Sequence, residues 1–142
     1  MPFRAVVVDT NVVVAGLLTR ESGSPTARVL DWMLTGRIPF LVSPPLLAEY
    51  RDVLLRQRIR SRHGLNEDEV DRVLSTLATN AIVREPDRQG AMSPSPADQH
   101  LWDLLACEPE SILLTGDKLL LTAPPSSANV VSAAEFVSSW AT

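Results

Sequence analysis

Residues 5–11 read Ala-Val-Val-Val-Asp-Thr-Asn, a short β-branched apolar run that stops on an acid. Valine is stiff at χ1 and packs well on a pleated surface. An apolar run without alternation marks a strand covered on both faces, as in a parallel sheet. Ala5 to Val8 is therefore expected to be a buried strand, with Asp9 at its carboxyl end. In open α/β sheets that edge is where sites form. Asp9 also suits the N-cap of a following helix. Taken alone, the residue leaves both roles open.

The rest of the chain repeats the pattern of strand and helix. Asn11 to Leu18 can start a helix. Ser24-Pro25 pairs an N-cap with proline at the first helical position, and Val29, Leu30, Met33 and Leu34 follow at helical spacing up to Gly36. Ile38 to Val42 reads as a strand. Ser43-Pro44-Pro45 opens a helix to about Leu55, and Asn66 caps another whose first turn holds Glu67, Asp68 and Glu69, where acids suit the helix dipole. Ala81 to Arg84 reads as a strand, and Glu85 to Pro96 as a loop. A helix is expected over Ala97 to Cys107, capped by Ser95 with Pro96 at its first position. Ile112 to Leu114 is an apolar strand ending in Thr115-Gly116-Asp117. Asn129 to Val131 is a last strand, and Ser132 to Trp140 a closing helix. This alternation predicts a parallel sheet with helices on both faces, in one domain spanning 1–142.

Composition narrows the function. The chain has 142 residues, 45% of them hydrophobic, enough for one core. No apolar run approaches the roughly 20 residues of a membrane span. The start, Met-Pro-Phe-Arg, lacks the features of a signal peptide. A single cysteine excludes an intramolecular disulfide and a Cys-based zinc cluster, and points to a reducing, cytoplasmic setting. Cys107 falls in an apolar helical stretch and is expected to be a packed, inert thiol. The net charge of −4 is not that of a protein holding nucleic acid by charge alone.

Four acids stand out. Asp117 follows a strand as Asp9 does, so both face one crevice. Asp98 and Asp103 share a helix, and successive residues turn by about 100°. Leu101, Trp102, Leu104 and Leu105 set its buried face. Asp98 projects roughly 40° from the centre of that face, while Asp103 points nearly opposite and is expected to be solvated. Glu49 lies roughly 100° from the centre of the stripe formed by Leu46, Leu47, Tyr50, Val53 and Leu54, at an edge from which a carboxylate can overhang a cleft. Asp52 projects further toward solvent.

Carboxylates crowded together repel unless a cation compensates. Hard oxygen donors suit Mg2+ or Mn2+, whose coordination is completed by water and substrate phosphates. Phosphodiester hydrolysis is the natural chemistry of such a site. His63 and His100 lack ligand spacing and are expected to be surface or structural. No Gly-rich phosphate loop and no nucleophile elbow occur.

The sequence resembles the PIN-domain family over nearly its whole length. The resemblance rests on Val-Val-Val-Asp-Thr-Asn-Val (6–12), Leu-Leu-Ala-Glu-Tyr (46–50), Ala-Asp-Gln-His-Leu-Trp-Asp-Leu-Leu-Ala (97–106) and Ile-Leu-Leu-Thr-Gly-Asp-Lys-Leu-Leu (112–120). It implies a Rossmann-like three-layer fold with a mostly parallel sheet, and a Mg2+- or Mn2+-dependent ribonuclease. Many short relatives are VapC-like toxins, homodimers held inactive by a small antitoxin. The family's four acids match Asp9, Glu49, Asp98 and Asp117, and Thr10, Asn11 and Thr115 match the polar residues that support its metal site. Where many relatives carry further acids around the third position, this chain has Ala97 and Gln99. Asp98 is thus left without a local substitute.

Arg51, Arg56, Arg58, Arg60 and Arg62 form the best phosphate-tracking strip for RNA, although basic residues also suit a helix end. Other classes remain open. One is a PIN-type RNA-processing nuclease outside a toxin–antitoxin pair. Another is phosphoryl transfer through Asp9, which would favour an acid where Asn11 stands. The last is a silent binding module.

Overall fold

The computed structural model describes residues 4–86, 93, 96–122 and 129–140. Its frame is a five-stranded sheet formed by β1 (Ala5–Val8), β2 (Phe40–Val42), β3 (Ile82–Val83), β4 (Ser111–Leu114) and β5 (Asn129–Val131), in the order β3-β2-β1-β4-β5. Every pairing is parallel. β1 and β4 are wholly buried, as their unalternating sequences require. Helices α1 (Thr10–Leu18), α2 (Pro25–Leu34), α3 (Pro44–Leu54), α4 (Gln57–His63), α5 (Glu67–Asn80), α6 (Gln99–Ala106), α7 (Lys118–Thr122) and α8 (Ala133–Trp140) make the connections and flank the sheet. The fold is the expected three-layer, Rossmann-like α/β class, with the sheet parallel throughout.

The strand order places the site. From β1 the chain moves outward to β2 and β3, then returns to lay β4 on the other side of β1. The direction of winding therefore reverses between β1 and β4, which opens a crevice at their carboxyl ends. Val8 and Leu114 are partners in register. The segments that follow them, 9–11 and 115–117, thus leave the sheet side by side.

Local chemistry accounts for the boundaries. Ser24 and Ser43 cap α2 and α3 ahead of their prolines, and Asn66 and Glu69 form a capping box on α5. β2 starts at Phe40 and not at Ile38, because Pro39 has no N–H for the ladder, though its carbonyl still accepts from Val6 N at 3.0 Å. Two helices were not foreseen. α4 ends at Gly64, whose φ of 71° suits glycine, and α7 follows Asp117 directly.

The helix expected over Ala97 to Cys107 divides in two. Pro96–Asp98 is a 3₁₀ turn, and α6 begins only at Gln99. Ser95, its expected cap, and most of the loop expected over Glu85 to Pro96 lie outside the described residues. Two further expectations are corrected. Cys107 is exposed, because it is the C-cap of α6, where the N–H bond of the last turn tightens to Leu104 O. Asp103 is buried at 8% exposure. Gln99 Nε2 donates to it at 3.1 Å, and Ser93 N donates to Gln99 Oε1 at 3.0 Å. Gln99, held by Ser93, thus covers the face that a helical projection assigns to solvent. Among the described residues no helix is long and apolar enough to cross a membrane.

Candidate active site

A cleft of about 760 Å3 opens at the carboxyl edge of the sheet, and Asp9, Glu49, Asp98 and Asp117 all line it. The four come from four different pieces of chain: the end of β1, the middle of α3, the 3₁₀ turn before α6, and the end of the β4 segment. The tertiary fold alone brings them together.

Asp9 is the most closely held. It is buried and caps α1, accepting from Thr10 N at 2.8 Å. Its other oxygen accepts from Thr115 Oγ1 at 2.7 Å and from Asn11 Nδ2 at 3.4 Å. The capping role and the site role therefore coincide. Thr115 is wholly buried, and its hydroxyl accepts in turn from Asp117 N at 3.0 Å. Asn11 spans the same gap, since its Oδ1 accepts from Gly116 N at 3.1 Å. The two strand ends are thus cross-braced through side chains.

Glu49 is placed by its neighbour. Tyr50 is fully buried and its hydroxyl donates to Val8 O, which pins α3 against the end of β1. One Glu49 oxygen accepts from the Thr10 hydroxyl. The other lies 3.5 Å from His100 Nε2. His100 is therefore part of the site, which its spacing in the sequence did not signal. Its Nδ1 is buried without a hydrogen-bond partner among the described residues. His63, by contrast, is structural as expected: its Nε2 pairs with Leu54 O at 2.8 Å, and its Nδ1 accepts from Leu65 N at 2.9 Å.

The electrostatics follow from this crowding. Burial raises the Asp9 pKa above its ordinary value, and the charges of Asp98 and Glu49 add to the rise, against the Thr115 and Thr10 hydrogen bonds. Burial also raises Asp98, helped by the charges of Glu49 and Asp117 and opposed by His100. Tyr50 is pushed well up by burial and by the charges of Asp9 and Glu49.

The five arginines do not act as one strip. Arg51 faces α5, paired with Asp71 at 2.8 Å and Glu67 at 2.6 Å. Arg56 and Arg62 line the acid cleft, and Arg60 lines another hollow. Arg58 is exposed on α4.

The family model described as PIN domain matches residues 5–119. The chain belongs to the PIN-domain family. No curated protein matches it. PIN domains are typically nucleases, and they generally use divalent metal ions. All four acids lie within the matched span. Their oxygen donors fit a hard divalent cation, and so do the raised Asp9 and Asp98, pushed up by burial and further by the neighbouring acids. Among the described residues, no three His, Cys, Asp or Glu side chains form a ready-made ligand set. Glu49 is turned instead onto Thr10 and His100. Magnesium ordinarily takes only one or two carboxylates and fills its shell with water and phosphate oxygens.

Proposed function

We propose that this PIN domain is a Mg2+- or Mn2+-dependent endoribonuclease that hydrolyses RNA phosphodiester bonds. The observation that supports this best is the meeting of four carboxylates from four separate elements in one cleft. Asp9, Glu49, Asp98 and Asp117 would hold the metal. When bound, a divalent ion lowers the pKa of an attacking water and offsets charge on the scissile phosphate. The chain's own residues supply the geometry. Thr10 N and the Thr115 hydroxyl fix the two oxygens of Asp9. Thr10 and His100 hold Glu49 at the other side of the cleft. The acids also repel RNA in the absence of a cation, in line with a net charge of −4.

The test is cleavage of assorted structured RNAs by purified protein with Mg2+ or Mn2+, compared with Asp9→Asn. Metal-dependent cleavage lost in the variant supports the nuclease. Labelling of Asp9 by acetyl phosphate without RNA cleavage would support phosphoryl transfer instead, and neither activity would leave a binding module.

We further propose that the chain is the toxin of a type II toxin–antitoxin pair, a cytoplasmic homodimer restrained by a small antitoxin. The resemblance to VapC-like relatives favours this, and the lone cysteine suits a reducing compartment. Expression should arrest growth, and Asp9→Asn should not. A neighbouring gene for a short DNA-binding protein is expected. Growth unaffected by the active nuclease would favour an RNA-processing enzyme outside such a pair.

A further inference from the structure

The acid cleft has a second end. Past the carboxylates its lining continues with the apolar Val14 and Leu18 of α1, Val53 of α3 and Ile59 of α4, and it also includes Arg56 and Arg62. α4 is one of the two helices that the sequence did not reveal, and folding it divides the arginine cluster. Of the five arginines, only these two reach the cleft. Arg51 is committed to Asp71 and Glu67. Arg56 pairs with Asp52 at 3.1 Å, but that contact is solvent-exposed on both sides and of a kind worth little. Arg62 has no ion pair among the described residues. A phosphate arriving here therefore meets two available guanidiniums.

We infer that Arg56 and Arg62 form a phosphate subsite for the RNA strand whose scissile bond lies over the acids. It grips a neighbouring phosphodiester of the same strand while the apolar lining takes the intervening base. The inference rests on the nuclease reading above. It assigns the cleft a polarity: cation-dependent at the acid end, arginine-dependent at the other. The separation answers the problem of net charge, because attraction is delivered locally at one end of an otherwise acidic protein. The described lining holds no aromatic ring, so the base is held by apolar contact and the backbone by charge.

The test uses the full chain in an Asp9→Asn background, so that binding is read without cleavage. Affinity for a fluorescent unpaired oligoribonucleotide is measured by anisotropy across a salt series. Arg56→Gln with Arg62→Gln should weaken binding at least about tenfold at low salt. It should also flatten the log-log salt slope by about 1.4, at 0.7 per lost contact on a single strand. Arg58→Gln with Arg60→Gln removes the same charge outside the cleft and should leave the slope nearly unchanged. Equal effects of the two pairs, or no change from the first, would overturn the subsite. The nuclease reading is scored separately: cleavage by the wild type with arginine-independent binding keeps the nuclease and removes the subsite. Arginine-dependent binding without cleavage under any divalent ion does the reverse. Unchanged thermal melting of both pairs confirms that they fold.

Discussion

Asp9 and Glu49 line the same cleft, yet they are held by different means. Asp9 sits at the end of a buried central strand, fastened by a backbone N–H, two hydroxyl or amide donors and the cross-brace to β4. Glu49 overhangs from a helix, steadied by Thr10 and by a histidine at 3.5 Å. Asp98 is looser still, on a 3₁₀ turn and half-buried. The strand-end half is built by the sheet and has little freedom. The helix-borne half is adjustable, and rearrangement there is what an incoming cation and phosphate would require.

The largest effects should come from the rigid half. Asp9→Asn or Asp117→Asn is expected to cut RNA cleavage on the order of a thousandfold or more, and added metal should not restore it. Glu49→Gln or Asp98→Asn should cost roughly a hundredfold and recover in part as Mn2+ is raised. Activity measured against metal concentration separates the two patterns. Identical, unrecoverable losses at all four acids would erase the distinction between the halves.

Thr115→Val sharpens the same contrast through stability. It removes the donor to Asp9 and the acceptor of Asp117 N inside a wholly buried position. A loss of about 1–3 kcal/mol is expected in urea unfolding, since buried polar groups are left unsatisfied. A near-neutral change would mean that the brace is not structural.

The legibility of the molecule follows the same divide. The strand-end acids could be read because an unalternating valine run, ending abruptly on a carboxylate, specifies strand, burial and exit point at once. Parallel topology then makes adjacency at the sheet edge a consequence of order. Helix-borne residues carry only an angle, and an angle does not say what covers it. Asp98 was placed inward and lines the cleft, but the same projection sent Asp103 to solvent, whereas it is buried and bonded by Gln99, itself held by Ser93. His100 reads as surface or structural in the sequence because its partner Glu49 is far away along the chain. The arginines suggested one patch, and only the unforeseen α4 divides them.

His100→Gln gives a smaller effect. Metal affinity in a Mn2+ titration should fall roughly tenfold with little change in melting temperature, because the histidine steadies Glu49 and no strand. An equal fall in stability would recast it as a packing residue.

The smallest effect concerns pH. The folded-state pKa of Asp98 is raised from 3.8. Its contribution to stability is therefore full below the ordinary value and is lost as pH rises through the raised one. In chelator, Asp98→Asn should flatten the dependence of melting temperature on pH just above the ordinary carboxylate range. It should stabilise the neutral-pH protein by less than about 1 kcal/mol, because water screens the half-exposed group. A variant with an unchanged pH profile would show that burial and the neighbouring acids do not raise Asp98.

Most direct is a measurement of divalent binding itself, following the free Mn2+ electron paramagnetic resonance signal as protein is added with an unpaired RNA. Four carboxylates serving one metal-dependent site predict that the wild type depletes the signal and that Asp9→Asn, otherwise folded, does not. Equal depletion by both proteins, or none by the wild type, would contradict the account.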